Sequence, residues 1–153
     1  MVEFSDFQCP YCKRGADTMA EVLKAYPNDV NLVFKNLPLP FHKQAGPAAK
    51  AALAAGKQGK FWEMHDRLFN NQQRLSAGFY EEQAKDLGLD VEKFKTDLND
   101  PELEKQLKAD MDLAQKHGIS GTPGFFVNGV EVRGAMPVDH FKGIIDRWLK
   151  ETA

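Results

Sequence analysis

At 153 residues, with 42% hydrophobic and 27% charged residues, the chain has the size and composition of one globular domain, or one small domain with an insertion. A net charge of −2 offers no broad basic field, so nucleic acid and anionic membrane are poor partners. No apolar run approaches the roughly 20 residues needed to cross a bilayer, so no membrane span is expected.

In chain order, Val2 to Phe7 is a short apolar run suited to a buried strand. Met1 stands directly against it, and no signal peptide precedes it. We expect a trimmed chain, from which an export signal and a preceding edge strand have been removed.

Next comes Cys9-Pro10-Tyr11-Cys12, which holds both cysteines of the sequence and opens a helix. Cys9 is placed to cap that helix, with Pro10 at its first position, where a missing N–H costs nothing. Unpaired N–H groups and the helix dipole should lower the Cys9 pKa. Cys12, one turn further in, should be less exposed. Two thiols so placed can close a disulfide and exchange it with a partner thiol. The helix carries Ala16, Met19, Ala20 and Leu23 at helical spacing and stops at Tyr26-Pro27-Asn28-Asp29. Val30 to Leu37 reads as a second strand, ended by Pro38 and Pro40, which makes a β-α-β unit with parallel strands.

From about Gln44 to His117 the pattern is helical. Pro47 to Ala55 is alanine-rich. Phe61, Met64, His65, Leu68 and Phe69 share one helix face, and Asn70-Asn71-Gln72-Gln73 reads as a loop. Helices follow over Ala77 to Leu87 and over Val91 to Leu98, the second capped by Asp90. The last starts at Asp100-Pro101, buries Leu103, Leu107, Met111 and Ala114, and ends at Gly118. Gly124–Val127 and Val130–Arg133 flank Asn128-Gly129, a strong hairpin signal. A helix from Pro137 to Leu149 turns Phe141, Ile144, Ile145 and Trp148 inward.

The order is therefore an α/β one: β-α-β (residues 1–42), a helical insertion (43–117), then β-β-α (118–153), in one compact unit. With Cys9-Pro10-Tyr11-Cys12 after a strand and Gly121-Thr122-Pro123 just before the hairpin, the chain resembles the DsbA-like branch of the thioredoxin superfamily. The resemblance covers essentially the whole chain, helical insertion included. It implies a thioredoxin-like fold and a thiol–disulfide oxidoreductase in which Cys9 is the nucleophile and Cys12 resolves the mixed disulfide. It implies a cis Thr122–Pro123 bond and a substrate-positioning role for both residues, since proline leaves a backbone edge open for strand pairing. Pro10 and Tyr11 would tune the dithiol. Strongly oxidising DsbA enzymes carry histidine where Tyr11 stands, so extreme oxidising power is not expected.

Glu3 lies six residues before Cys9, where thioredoxin-like proteins carry a buried acid under the inner cysteine. Buried there, it should have a raised pKa and handle the proton of Cys12. The alternative is a strand-edge glutamate facing water. No cofactor is implied beyond the redox-active disulfide itself. The implied partners are cysteine-containing polypeptides and a redox protein that re-oxidises or reduces the pair. The implied setting is the periplasm or another exported space, with the cytoplasm as the alternative.

Two other readings of the cysteines stay open. One is a cytosolic glutaredoxin-like reductase. The other, of a different class, is a metal-binding or carrier module with the cysteines as soft ligands for copper(I). A zinc site would have to recruit two of His42, His65, His117 and His140, which are scattered singly. His117 reads as a helix C-terminal charge, His65 as a satisfied core residue, and His42 and His140 as lacking recognisable partners.

Overall fold

The computed structural model describes residues 1–152. Its elements run β1 (Val2–Ser5), α1 (Pro10–Ala25), β2 (Val33–Asn36), α2 (Ala45–Lys57), α3 (Phe61–Asn70), α4 (Ala77–Asp86), α5 (Val91–Leu98), α6 (Pro101–Lys116), β3 (Gly124–Val127), β4 (Val130–Arg133) and α7 (Val138–Thr152). A 3₁₀ turn over Gln72–Arg74 joins α3 to α4. The fold is thioredoxin-like, with a helical block between β2 and β3.

The four strands form one sheet in the order β2-β1-β3-β4, parallel between β1 and β2 and antiparallel elsewhere. β1 is thus interior, flanked by Phe34 on one side of Glu3 and Phe125 on the other. An interior strand with both faces covered has no water-facing side, and Glu3, Phe4 and Ser5 are all buried. The Asn128-Gly129 turn is formed with φ of 52° and 90°, the left-handed pair that such a two-residue hairpin requires.

One face of the sheet packs Phe125 and Val127 against Met19 and Val22 of α1 and against Phe141, Ile144 and Ile145 of α7. The other sets Phe4 against Leu37, Ala114 and Ile119, beside α6. The helical block has its own core, into which Phe7 and Cys12 reach from the sheet side. Phe7 is fully buried, with ring centroids 5.2 Å from Phe34 and 4.8 Å from Phe69. α2 buries seven alanines, small enough to let α3, α5 and α6 come close.

Several sequence expectations shift. The first strand ends at Ser5, because the chain turns at Asp6 to start α1. The second begins at Val33 rather than Val30: the Asp29 and Val30 N–H groups are held by the Tyr26 carbonyl in a turn, and pairing with β1 starts at Val2 opposite Val33. The buried face of α1 is Cys12, Gly15, Met19 and Val22, with Ala20 exposed. Gly15 belongs to that face because a Cβ there would meet Phe125 Cζ and Pro123 Cγ at 3.3 Å. α2 runs longer than its alanine-rich segment, and α7 runs from Val138 to Thr152. α5 and α6 have their expected caps, Asp90 accepting from Lys93 N and Asp100 from Glu102 N.

Since Phe7 links the sheet to the helical core, Phe7→Ala should cost about 3–5 kcal/mol, the usual range for emptying a buried phenylalanine site. A urea unfolding midpoint equal to that of the parent chain would show that Phe7 does not join the two.

A candidate dithiol site at the start of helix α1

Local chain geometry sets the site. Cys9 has extended backbone (φ −78°, ψ 123°) and caps α1, with proline in its first turn. The Cys9 carbonyl accepts from Cys12 N and Lys13 N, while Cys9 N donates to the Asp6 carbonyl. Both cysteines are free thiols and both are buried, Cys9 at 5% exposure and Cys12 at 0%. Cys9 Sγ lies 3.9 Å from the Thr122 carbonyl, and the Thr122–Pro123 bond is cis. Asp6 N donates to Cys12 Sγ at 3.4 Å.

The two sulfurs differ strongly. Cys9 is pulled down to about 5, first by a hydrogen bond from the Cys12 thiol, which outweighs the opposing effect of burial. The N–H groups of Tyr11 and Cys12 at the helix start add smaller pulls in the same direction. Cys12 is pushed well above the usual thiol range by burial and by donating to Cys9. The helix terminus named by the sequence thus contributes, but the neighbouring thiol contributes more. The Thr122 hydroxyl is buried without a conventional partner, yet lies close enough to both sulfurs to favour their charged forms.

Tyr11 is 60% exposed, and Arg14 lies over its ring at 5.5 Å. Lys13 pairs with Asp17. Beside Pro123 a cleft of about 290 Å³ is lined by Ile119, Thr122, Pro123, Glu131 and Arg133 among others. Glu3 is fully buried, and neither of its carboxyl oxygens has a hydrogen-bond partner. Burial pushes it up to about 8. The expected water-facing alternative for Glu3 is therefore absent, because β1 has neighbours on both sides.

Two polar residues, Asp6 and Gln72, hold the site and were not singled out in the sequence. Asp6, its side chain fully buried, accepts from Gln8 N at 2.7 Å and Leu39 N at 2.9 Å, and lies 2.8 Å from His42 Nδ1. His42 thus has a partner, contrary to the expectation of none. Gln72 donates its amide to the carbonyls of Phe7 and Cys9, both at 2.9 Å. That residue lies in the stretch read as a loop, whose first residue ends α3 and whose Gln72 begins the 3₁₀ turn. An aspartate two residues before Gln8 was a readable turn signal, whereas nothing in the sequence pointed to Gln72. His65 is buried but only half satisfied: Nδ1 lies 2.9 Å from Asp66 Oδ1 and Nε2 has no partner. Among the described residues, no three or more His, Cys, Asp or Glu side chains gather where they could hold a metal ion.

A family profile described as thioredoxin matches residues 1–147. A thioredoxin-like oxidoreductase from Silicibacter pomeroyi DSS-3 superposes with a TM-score of 0.84 at 35% identity, over 97% of this chain and 85% of that one. The thiol-disulfide exchange protein alpha-DsbA2 from Wolbachia pipientis superposes with a TM-score of 0.87 over 96% of this chain and 80% of that one. At 20% identity, that likeness is one of fold. The sequence is also 39% identical over 140 residues to Na(+)/H(+) antiporter NhaA 3 of Salinispora tropica, covering 91% of this chain. The chain spans about a fifth of the length of that curated relative, 21%.

The raised pKa of Glu3 fixes the sign of a stability effect. Folded Glu3 keeps its proton up to about 8, whereas the unfolded residue loses it near 4.5, so folding loses stability as pH rises between those values. Glu3→Gln removes that loss. Measured on the disulfide form, where the sulfurs do not titrate, the stability of Glu3→Gln relative to the parent should climb from about pH 4.5 to 8 and then level off. A difference independent of pH would mean that Glu3 ionises normally in the folded chain.

Proposed function

Because this chain belongs to the thioredoxin family, with DsbA-like thiol–disulfide oxidoreductases as its structural neighbours, we propose that it exchanges the Cys9–Cys12 disulfide with cysteines of polypeptide substrates. The observation that carries this reading is the asymmetry of the two thiols: Cys9 is pulled down to about 5 while Cys12 is held protonated.

The chemistry follows from that asymmetry. A substrate thiolate attacks the Cys9 sulfur of the disulfide, a bond forms between substrate and Cys9, and the electron pair of the broken bond leaves on Cys12. Cys12 then takes a proton, for which Glu3, buried on β1 and protonated at neutral pH, is the proposed donor. A second substrate thiolate attacks the substrate sulfur of the mixed disulfide and releases Cys9, whose low pKa makes it a good leaving group. In the reverse direction, Cys9 thiolate opens a substrate disulfide and Cys12, losing its proton, attacks Cys9 and frees the reduced substrate.

Thr122 and Pro123 take the substrate backbone: the Thr122 carbonyl lies against Cys9, and the cleft beside Pro123 runs on from there. Pro10 and Tyr11 shape the exposed rim. The electron pairs reside on the sulfurs, so no cofactor enters the scheme. A second protein must re-oxidise or reduce the pair after each cycle. Free exchange with protein disulfides suits an exported, oxidising space, and we assign the chain to the periplasm or its equivalent. We take the antiporter name to describe the part of those longer proteins that this chain does not match, since no helix among the described residues is long and apolar enough to cross a membrane.

Two substitutions test the roles of the sulfurs. Cys9→Ser should abolish disulfide exchange, whereas Cys12→Ser should accumulate mixed disulfides with substrate, visible on non-reducing gels; turnover retained in Cys9→Ser would remove Cys9 as nucleophile. The reduction potential, measured by equilibration with glutathione, sets the direction. The scale runs from about −270 mV for thioredoxin to about −120 mV for DsbA. Thiolate stabilisation at Cys9 favours the dithiol, so the value should fall in the upper half; a value near the thioredoxin end would make the chain a reductase and overturn the exported assignment.

A further inference from the structure

A cavity of about 250 Å³ opens between β1, α1 and α3. α1 contributes only apolar side chains to it, among them Met19 and Leu23, and Trp62 stands at its α3 wall. Three lining residues can titrate or carry charge: Glu3 from β1, and His65 and Asp66 from α3. Both Glu3 oxygens and His65 Nε2 are buried and have no hydrogen-bond partner. The other ring nitrogen, Nδ1, is 2.9 Å from Asp66 Oδ1, and the Asp66 side chain is 70% exposed.

Those contacts assign the protons. An Nδ1–H donates to the Asp66 carboxylate, which leaves Nε2 as a lone-pair acceptor. An orphaned acid and an orphaned base thus line one cavity, which exceeds by far the roughly 10–15 Å³ that a single water needs. Each group costs stability where it stands, since a buried polar atom without a partner loses its hydration for nothing. Packing does not explain the cost at His65, because the five aromatic rings around it would hold a phenylalanine as well.

We propose that His65 is a positioning residue through which Glu3, by way of water in this cavity, exchanges its proton with solvent. The inference rests on the reading of Glu3 as the group that serves Cys12. When the Cys12 thiol becomes a nucleophile, the protonated Glu3 carboxyl gives its proton to His65 Nε2, and the carboxylate so formed takes the proton of Cys12. The imidazolium that results is held by the Asp66 carboxylate at Nδ1. The imidazolium releases its Nδ1 proton to solvent past Asp66 and is left as the neutral Nε2–H form. When Cys12 departs as thiolate, the sequence reverses: Glu3 protonates the sulfur, Nε2–H restores Glu3, and Nδ1 takes a proton from solvent. Burial lowers the His65 pKa, so the ring returns to neutral after each passage.

The test follows release of substrate from a mixed disulfide preformed on Cys9, a step that needs Cys12 to lose its proton, in the parent, Glu3→Gln, His65→Phe and the double variant, in H₂O and D₂O. In His65→Phe, release should slow about a hundredfold, the low end of what a positioned proton-transfer group supplies. It should also become sensitive to D₂O where the parent is not, while the Cys9 thiolate midpoint stays in place. The double variant should be no slower than Glu3→Gln. His65→Asn, which keeps a polar group but cannot pass a proton, should behave like His65→Phe and stands in for it if that variant does not fold. If Glu3→Gln is slow and the His65 variants match the parent, or if the two effects multiply, the relay is wrong and the role of Glu3 stands. If Glu3→Gln also releases at the parent rate, the role of Glu3 falls and the relay with it.

Discussion

One hydrogen bond, from the Cys12 thiol to the Cys9 sulfur, sets the character of the site. It holds a negative charge on Cys9, nearly covered at the start of α1, and keeps the proton on Cys12, fully covered behind it. Such a bond is strong where water is excluded, because no solvent competes for the donor or the charge. Burial alone would have raised both sulfurs. What separates them is that one has helix-terminal N–H groups and a thiol donor directed at it, while the other faces the core.

Holding that pair in place falls to groups from three parts of the chain. Asp6 gathers Gln8, Leu39 and His42, so the segment after β2 is tied to the turn before Cys9. Gln72 reaches back from the helical block to the carbonyls of Phe7 and Cys9. Gly15 lets α1 approach Pro123 and Phe125 closely enough for Thr122 to lie against the sulfurs. The helical block is thereby more than a lid on the sheet: it supplies hydrogen bonds to the backbone that carries Cys9. It also supplies the aromatic wall, from Phe61 to Phe69, against which Phe7 and His65 are packed.

The likeness to proteins named as antiporters sits beside the thioredoxin match without contradicting it. The matched part is a fifth of the antiporter's length, while the thioredoxin-like oxidoreductase structure is covered over 85% of its own length.

The sequence by itself determined the elements and the dithiol. Helices α5 and α6 are written in their caps, the hairpin in Asn128-Gly129, and the dithiol in two cysteines three residues apart after an apolar strand. These are legible because caps, turns and a C-x-x-C motif act within a few residues of one another. Only the tertiary structure decided that Glu3 is buried, since burial depends on β1 lying between β2 and β3. It also decided that Asp6 meets His42 and that Gln72 meets Phe7, across 36 and 65 residues of chain. Local pattern carries no information about such meetings. The depth of the difference between Cys9 and Cys12 belongs to the same class, because a pKa records everything folded around a group rather than its neighbours in sequence.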